Sequence, residues 1–251
     1  MSRFPDGVVT VLVKLFTEMQ KLLFMFEFKS LPVLNFPKLL MLGLLLQLVS
    51  YPALLLAQEP KLKILIFGDS LSAAYNIPIE LSWPILFEKK LQLISPGSMV
   101  INASISGETS FGGLQRLDAL LQKHQPSHLI LELGGNDGLQ GLKFKQSAKN
   151  LIHMIEQAEA IGARVLMIGV RLPPNLGPVY NQRFQQMYED VAAQTQVSYL
   201  PKFLLDIAGN NKLMQADGIH PTVQAQPKLS DRVFQKMIYP GITDSADSCK
   251  E

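Results

Sequence analysis

The sequence predicts an α/β domain, with a five-stranded parallel sheet covered by helices on both faces. Three observations carry that prediction. From Lys61 onward, short apolar runs alternate with stretches spaced for helices. The first run is apolar almost throughout, without in–out alternation, as in a strand buried on both faces. Glycine-bearing turns follow the first three runs, at what would be the carboxyl ends of the strands, where such sheets bind ligands.

The elements follow in order. Leu62–Phe67 (LKILIF) is the first strand. Trp83–Leu93 has helical apolar spacing, with Pro84 tolerable only in a first turn. Met99–Asn102 is a short second strand, and Phe111–Lys123 a helix with Leu114, Leu117, Leu120 and Leu121 along one face. His128–Leu133 (HLILEL) is the third strand, and Phe144–Ile161 a helix ended by Gly162. Arg164–Val170 is the fourth strand, Tyr180–Gln194 a helix, Val197–Leu200 the fifth strand and Gln226–Ile238 the last helix. No internal repeat or low-complexity linker interrupts this pattern.

The organisation is a targeting segment over residues 1–57, one domain over 58–240 and a polar tail over 241–251. Leu39 to Ala57 (LLMLGLLLQLVSYPALLLA) is almost wholly apolar and about long enough to cross a bilayer. A secretory signal cut after Ala57 is the first reading, giving a periplasmic or secreted protein. Leu55 fits the small-residue cleavage rule poorly, so an uncleaved anchor is the alternative. The stretch before it makes the signal unusually long from Met1, and a translation start near Met25 would shorten it.

Composition narrows the function. With 23 basic and 21 acidic residues the net charge is +2, and no basic footprint for nucleic acid stands out. The single cysteine, Cys249, lies in the polar tail, which rules out an intramolecular disulfide and a cysteine-rich zinc site. His124 and His128 stand four apart but flank a turn, and no paired-cysteine spacing occurs, so neither pattern points to a metal. Of the four histidines, His124, His128 and His153 read as structural, which leaves His220 for chemistry.

Four groups remain: Gly68-Asp69-Ser70, Ser104 to Thr109, Gly134-Gly135-Asn136-Asp137, and Asp217-Gly218-Ile219-His220. The first three follow strands and so share one sheet edge. Acyl transfer needs a nucleophile, a base, an orienting acid and donors aimed at a developing oxyanion. Ser70 is a candidate nucleophile, His220 its base and Asp217 the acid that sets the imidazole tautomer. The N–H groups of Ser70 and Gly107 and the side-chain amide of Asn136 are candidate oxyanion donors, Gly107 having no side chain to block approach. Each group alone has an ordinary reading: a serine after a strand caps helices, and Gly-Gly-Asn-Asp makes turns. Asp69 adjoins Ser70 and points elsewhere, so its expected role is to tie down the turn.

Together the groups resemble the blocks of the SGNH, or GDSL, hydrolases. Gly68-Asp69-Ser70-Leu71, Gly107, Gly135-Asn136-Asp137 and Asp217-x-x-His220 occur in the family's order. The segments GDSLSAAYNIP, SISGETSFGGLQRL, LILELGGNDGLQGL, RLPPNLG and MQADGIHPTVQAQP are similar to a branch of small secreted bacterial acyl-CoA thioesterases, lysophospholipases and arylesterases. The resemblance runs from about Lys61 to Tyr239. It implies a flavodoxin-like three-layer α/β/α sandwich. It also implies a serine hydrolase of acyl esters and thioesters, with no metal or organic cofactor, working as a monomer. Membrane contact would come only through the N-terminal segment or a lipid substrate. It further implies that Leu172, Pro173, Pro174 and Asn175, in a mobile loop running to Gly177, bind the acyl chain. Ala74 and Thr222 depart from the family, where glycine and asparagine are expected. An acetyl esterase of carbohydrates on this fold and a metal-dependent phosphoesterase are the competing functions.

Overall fold

The computed structural model describes residues 61–238, all within the second of the chain's two compact units, Glu59–Glu251. The proposed signal or anchor, the Met25 start and the polar tail lie outside the described residues. Among those described, no helix is long and apolar enough to cross a membrane.

Five parallel strands form one sheet: β1 (Lys63–Gly68), β2 (Met99–Asn102), β3 (His128–Glu132), β4 (Arg164–Ile168) and β5 (Ser198–Leu200). Their spatial order is β2-β1-β3-β4-β5. The helices are α1 (Trp83–Ile94), α2 (Ser110–His124), α3 (Gly135–Leu139), α4 (Phe144–Ala160), α5 (Pro178–Thr195) and α6 (Gln226–Ile238). α1 packs on α6, while α4 packs on both α2 and α5, giving the helical layers. Ile64, Leu65, Ile66 and Phe67 of β1 are wholly buried, which explains a strand with no polar face.

Two differences from the sequence reading have local causes. Residues 135–139 form a helix rather than a turn; Gly134 precedes it at φ +112°, where a Cβ would also meet the Tyr188 hydroxyl at 2.6 Å. α5 starts at Pro178, two residues early, because proline fits the first helical position. Gly113 lets α2 lie close to the sheet, since a Cβ there would come 2.5 Å from Leu133.

The strand order places the switch point between β1 and β3, the crevice where such sheets bind ligands. Register sets Gly68 beside Glu132, so the turns after both strands leave at one level. The buried Trp83, the chain's one tryptophan, fastens the first of these turns: its Nε1 donates to the carbonyl of Leu71 at 3.1 Å. Its ring meets Phe203 edge-on, and its backbone N–H donates to Gln226 Oε1 at 2.9 Å.

Ala74 in the same turn has φ +60°, a left-handed conformation that favours glycine. The glycine expected there thus has a backbone reason. Ala74→Gly is expected to raise stability by roughly 0.5–1 kcal/mol, relief of left-handed strain outweighing the added freedom of the unfolded chain. Chemical denaturation of the two proteins measures this, and a loss of stability would show that the turn carries no such strain.

Candidate active site

Ser70 sits where β1 runs into the first turn. The carbonyl of Asp69 accepts the N–H groups of Ser72 (3.2 Å) and Ala73 (2.9 Å), curling the chain around Ser70. Asn102 Nδ2 donates to the Ser72 carbonyl at 2.8 Å, tying the end of β2 to that turn.

His220 arrives from the segment before α6. Ser70 Oγ lies 2.8 Å from His220 Nε2, and His220 Nδ1 lies 2.7 Å from Asp217 Oδ2. The other Asp217 oxygen accepts the N–H groups of Ile219 (2.9 Å) and His220 (3.0 Å), so one carboxylate shapes the loop and aims the ring. Burial pushes Asp217 up, but the His220 N–H and imidazole and the Ile219 N–H together hold it below the ordinary carboxylate range. The Tyr75 ring packs on His220 with centroids 4.2 Å apart, a contact the sequence did not announce.

The candidate oxyanion donors gather at the same edge. Among the described residues, the N–H groups of Ser70 and Gly107 donate to no protein acceptor. Gly107 has φ +81° and nothing within 4 Å of a hypothetical Cβ, so backbone conformation rather than crowding requires glycine. Its loop is held by Arg116, which donates to Glu108 Oε2 (2.6 Å) and the Ala103 carbonyl (2.8 Å) and stacks on Phe67 at 4.1 Å. Asn136 Nδ2 donates to Asp69 Oδ2 (3.1 Å) and to the Glu108 carbonyl (3.0 Å).

Asp137 anchors α3. It accepts the Ser110 N–H (2.8 Å) and hydroxyl (2.5 Å) and the Ser147 hydroxyl (2.7 Å), clamping the turn after β3 to α2 and α4.

Asp69 is buried and takes no part in the Ser70–His220–Asp217 line. Its Oδ1 accepts the Leu71 N–H at 3.0 Å, and its Oδ2 takes Asn136. It thus joins the first turn to the third. Sequence reasoning missed Glu132 entirely; it lies wholly buried at the end of β3. A charged residue ending a strand apolar on both faces was the available signal.

A cavity of about 930 Å³ opens beside Ser70 and His220, with Leu139, Val170, Leu204 and Met214 among its apolar walls. Leu172, Pro173 and Pro174 line it, and Asn175 does not. Their loop is pinned by Asn181, whose Nδ2 donates to the carbonyls of Pro173 (3.2 Å) and Gly177 (3.1 Å). Among the described residues, no cluster of three or more His, Cys, Asp or Glu side chains is placed to hold a metal ion.

A serine, an imidazole and a carboxylate in line beside an apolar cavity are the parts of a serine hydrolase. The chain belongs to the GDSL-like Lipase/Acylhydrolase family, whose model matches residues 66–226. It is 45% identical over 181 residues to Esterase TesA of Pseudomonas aeruginosa, covering 72% of this chain and 90% of that protein. It is 43% identical over 174 residues to Thioesterase 1/protease 1/lysophospholipase L1 of Escherichia coli, covering 69% and 82%. Among solved structures it is similar to the psychrotrophic esterase EstA from Pseudoalteromonas sp., there inhibited by monoethylphosphonate. That match has a TM-score of 0.67 and 40% identity, covering 70% of this chain and 96% of the other. The chain is accordingly an enzyme, a hydrolase of the esterase class.

Burial pushes Asp69 up to about 7 from an ordinary 3.8. The folded chain therefore keeps a proton that the unfolded chain has lost by pH 7. This group's stabilising contribution is complete below about pH 4 and is lost as pH rises through about 7. Denaturation midpoints between these pH values are expected to fall for the wild type and to change less for Asp69→Asn. Equal slopes in the two proteins would place the titration elsewhere.

Proposed function

We propose that the protein hydrolyses acyl esters and thioesters through an acyl-enzyme on Ser70, with His220 as base and Asp217 as the acid that orients it. The observation that carries this is the unbroken line from Asp217 Oδ2 through His220 to Ser70 Oγ, opening on the apolar cavity.

Ser70 Oγ attacks the carbonyl carbon and its proton passes to His220 Nε2. Asp217, accepting from Nδ1, keeps Nε2 free as acceptor and stabilises the imidazolium. The carbonyl oxygen becomes an oxyanion that draws on the N–H groups of Ser70 and Gly107 and the amide of Asn136. Collapse expels the alcohol or thiol, which takes the proton from His220. Water, deprotonated by His220, then releases the acid and restores Ser70.

Substrates with an apolar acyl chain suit the cavity, whose volume lies within the range of small-molecule sites. Leu172, Pro173 and Pro174 would flank that chain, with Asn175 outside it. Lysophospholipids and acyl thioesters fit this description better than acetylated sugars, which need a polar floor. The names of the relatives support the same classes. The apolar Leu39–Ala57 segment supports a periplasmic or secreted site of action, and the protein is read as a monomer without a cofactor.

Ser70→Ala is expected to lower hydrolysis of a short p-nitrophenyl ester on the order of 10⁴-fold or more while the circular dichroism spectrum is unchanged. A phosphonate is expected to label the wild type once, at Ser70. Near-normal turnover by the alanine variant would reject the assignment.

A further inference from the structure

We propose that Glu132 is a positioning residue of this active site, holding the Ser70 turn directly and the Asn136 amide through Asp69. The inference rests on the reading just given, in which Ser70 attacks and Asn136 donates to the oxyanion.

Glu132 stands opposite Gly68 in the β1–β3 register and is wholly buried. Its Oε2 accepts the Ser72 hydroxyl at 2.8 Å and the Asp69 N–H at 3.4 Å, one contact on either side of Ser70. Its Oε1 accepts no hydrogen bond among the described residues. The space it fills is taken from Gly68, where a Cβ would lie 2.7 Å from Glu132 Oε2. Asp69, 2% exposed, continues the chain of contacts to Asn136 Nδ2.

Two adjacent carboxyl groups shut away from water do not both ionise, and above about pH 7 the pair keeps one proton. Burial first, and the charge of Asp69 second, push Glu132 well above the ordinary carboxylate range. Asp137 from α3 and Tyr188 from α5 also face the pair, with Tyr199 of β5 behind Tyr188. These neighbours are acids, so none of them supplies a neutralising charge.

The shared proton has a consequence for Asn136. Both protons of its amide are engaged, one by Asp69 and one by the Glu108 carbonyl, so an oxyanion must share one of them. With one proton, the pair carries a single charge. With none, Asp69 holds the amide more tightly, and a second negative charge stands behind the place where the oxyanion forms. Glu132 thus serves as a buried neutral acid that keeps the amide available.

The test compares Glu132→Ala and Glu132→Gln in the full-length chain. It measures kcat and KM for p-nitrophenyl butyrate from about pH 6 to pH 10, with melting curves and phosphonate labelling. Gln reproduces the shape and donor of a protonated Glu and cannot ionise. Glu132→Ala is expected to lower kcat about 10²-fold with KM within about threefold. Glu132→Gln is expected to recover kcat to within about fivefold of wild type and to lack the decline in alkali that wild type shows. A folded alanine variant with wild-type kcat overturns the inference. So does a glutamine variant that is inactive or keeps the alkaline decline, and so does a wild type that shows no such decline. If the alanine variant does not fold, the alkaline limb of the glutamine variant decides. Failure of the phosphonate to label wild type would instead remove the Ser70 reading, whatever the Glu132 variants do.

Discussion

The in-register pairing of β1 with β3 is the constraint on which the rest of the site depends. It sets Gly68 beside Glu132, so Ser70 and Asn136 leave the sheet at one height on either side of the switch point. A slip of one residue would turn every buried side chain of β1 to the opposite face. The uninterrupted burial of Ile64 to Phe67 makes the strand hard to withdraw. Rigid placement of this kind lets backbone N–H groups serve as preorganised donors, since they need no reordering when charge develops.

The site is assembled from parts of unequal stiffness. Ser70 and Asn136 are bound to the sheet and to each other through Asp69. Asp217 and His220 ride on an irregular segment between β5 and α6. That segment is held by an isolated bridge between Met214 and Pro221 and by Gln215, whose Nε2 donates to the carbonyls of Tyr75 and Pro221. The base therefore depends on a few polar contacts, while the nucleophile depends on the whole core.

Much of this was legible in the sequence because it rests on local chemistry. Apolar runs announce buried strands, Pro84 marks a helix start, and Asp217-x-x-His220 fits one loop in which a carboxylate reaches an imidazole. Glu132, Asp137 and Arg116 were not legible as site residues, because their roles are set by partners far along the chain. Glu132 meets Ser72 across 60 positions, and Asp137 meets Ser110 across 27. Asp69 was half legible: its tie to Leu71 follows from adjacency, its tie to Asn136 only from the fold. Gly107 was found for an incomplete reason, since its positive φ rather than the lack of a side chain in the way distinguishes it in the structure.

Trp83 gives the molecule an intrinsic reporter. It is the one indole in the chain, and its N–H rests on the carbonyl of the residue next to Ser70. Its fluorescence accordingly comes from a single place, a site in the buried core tied to the turn that carries the reacting hydroxyl. Rearrangement of the nucleophile turn, by acylation or by a ligand, would change emission there without an added dye. The optical signal of this protein is by construction a signal about its serine.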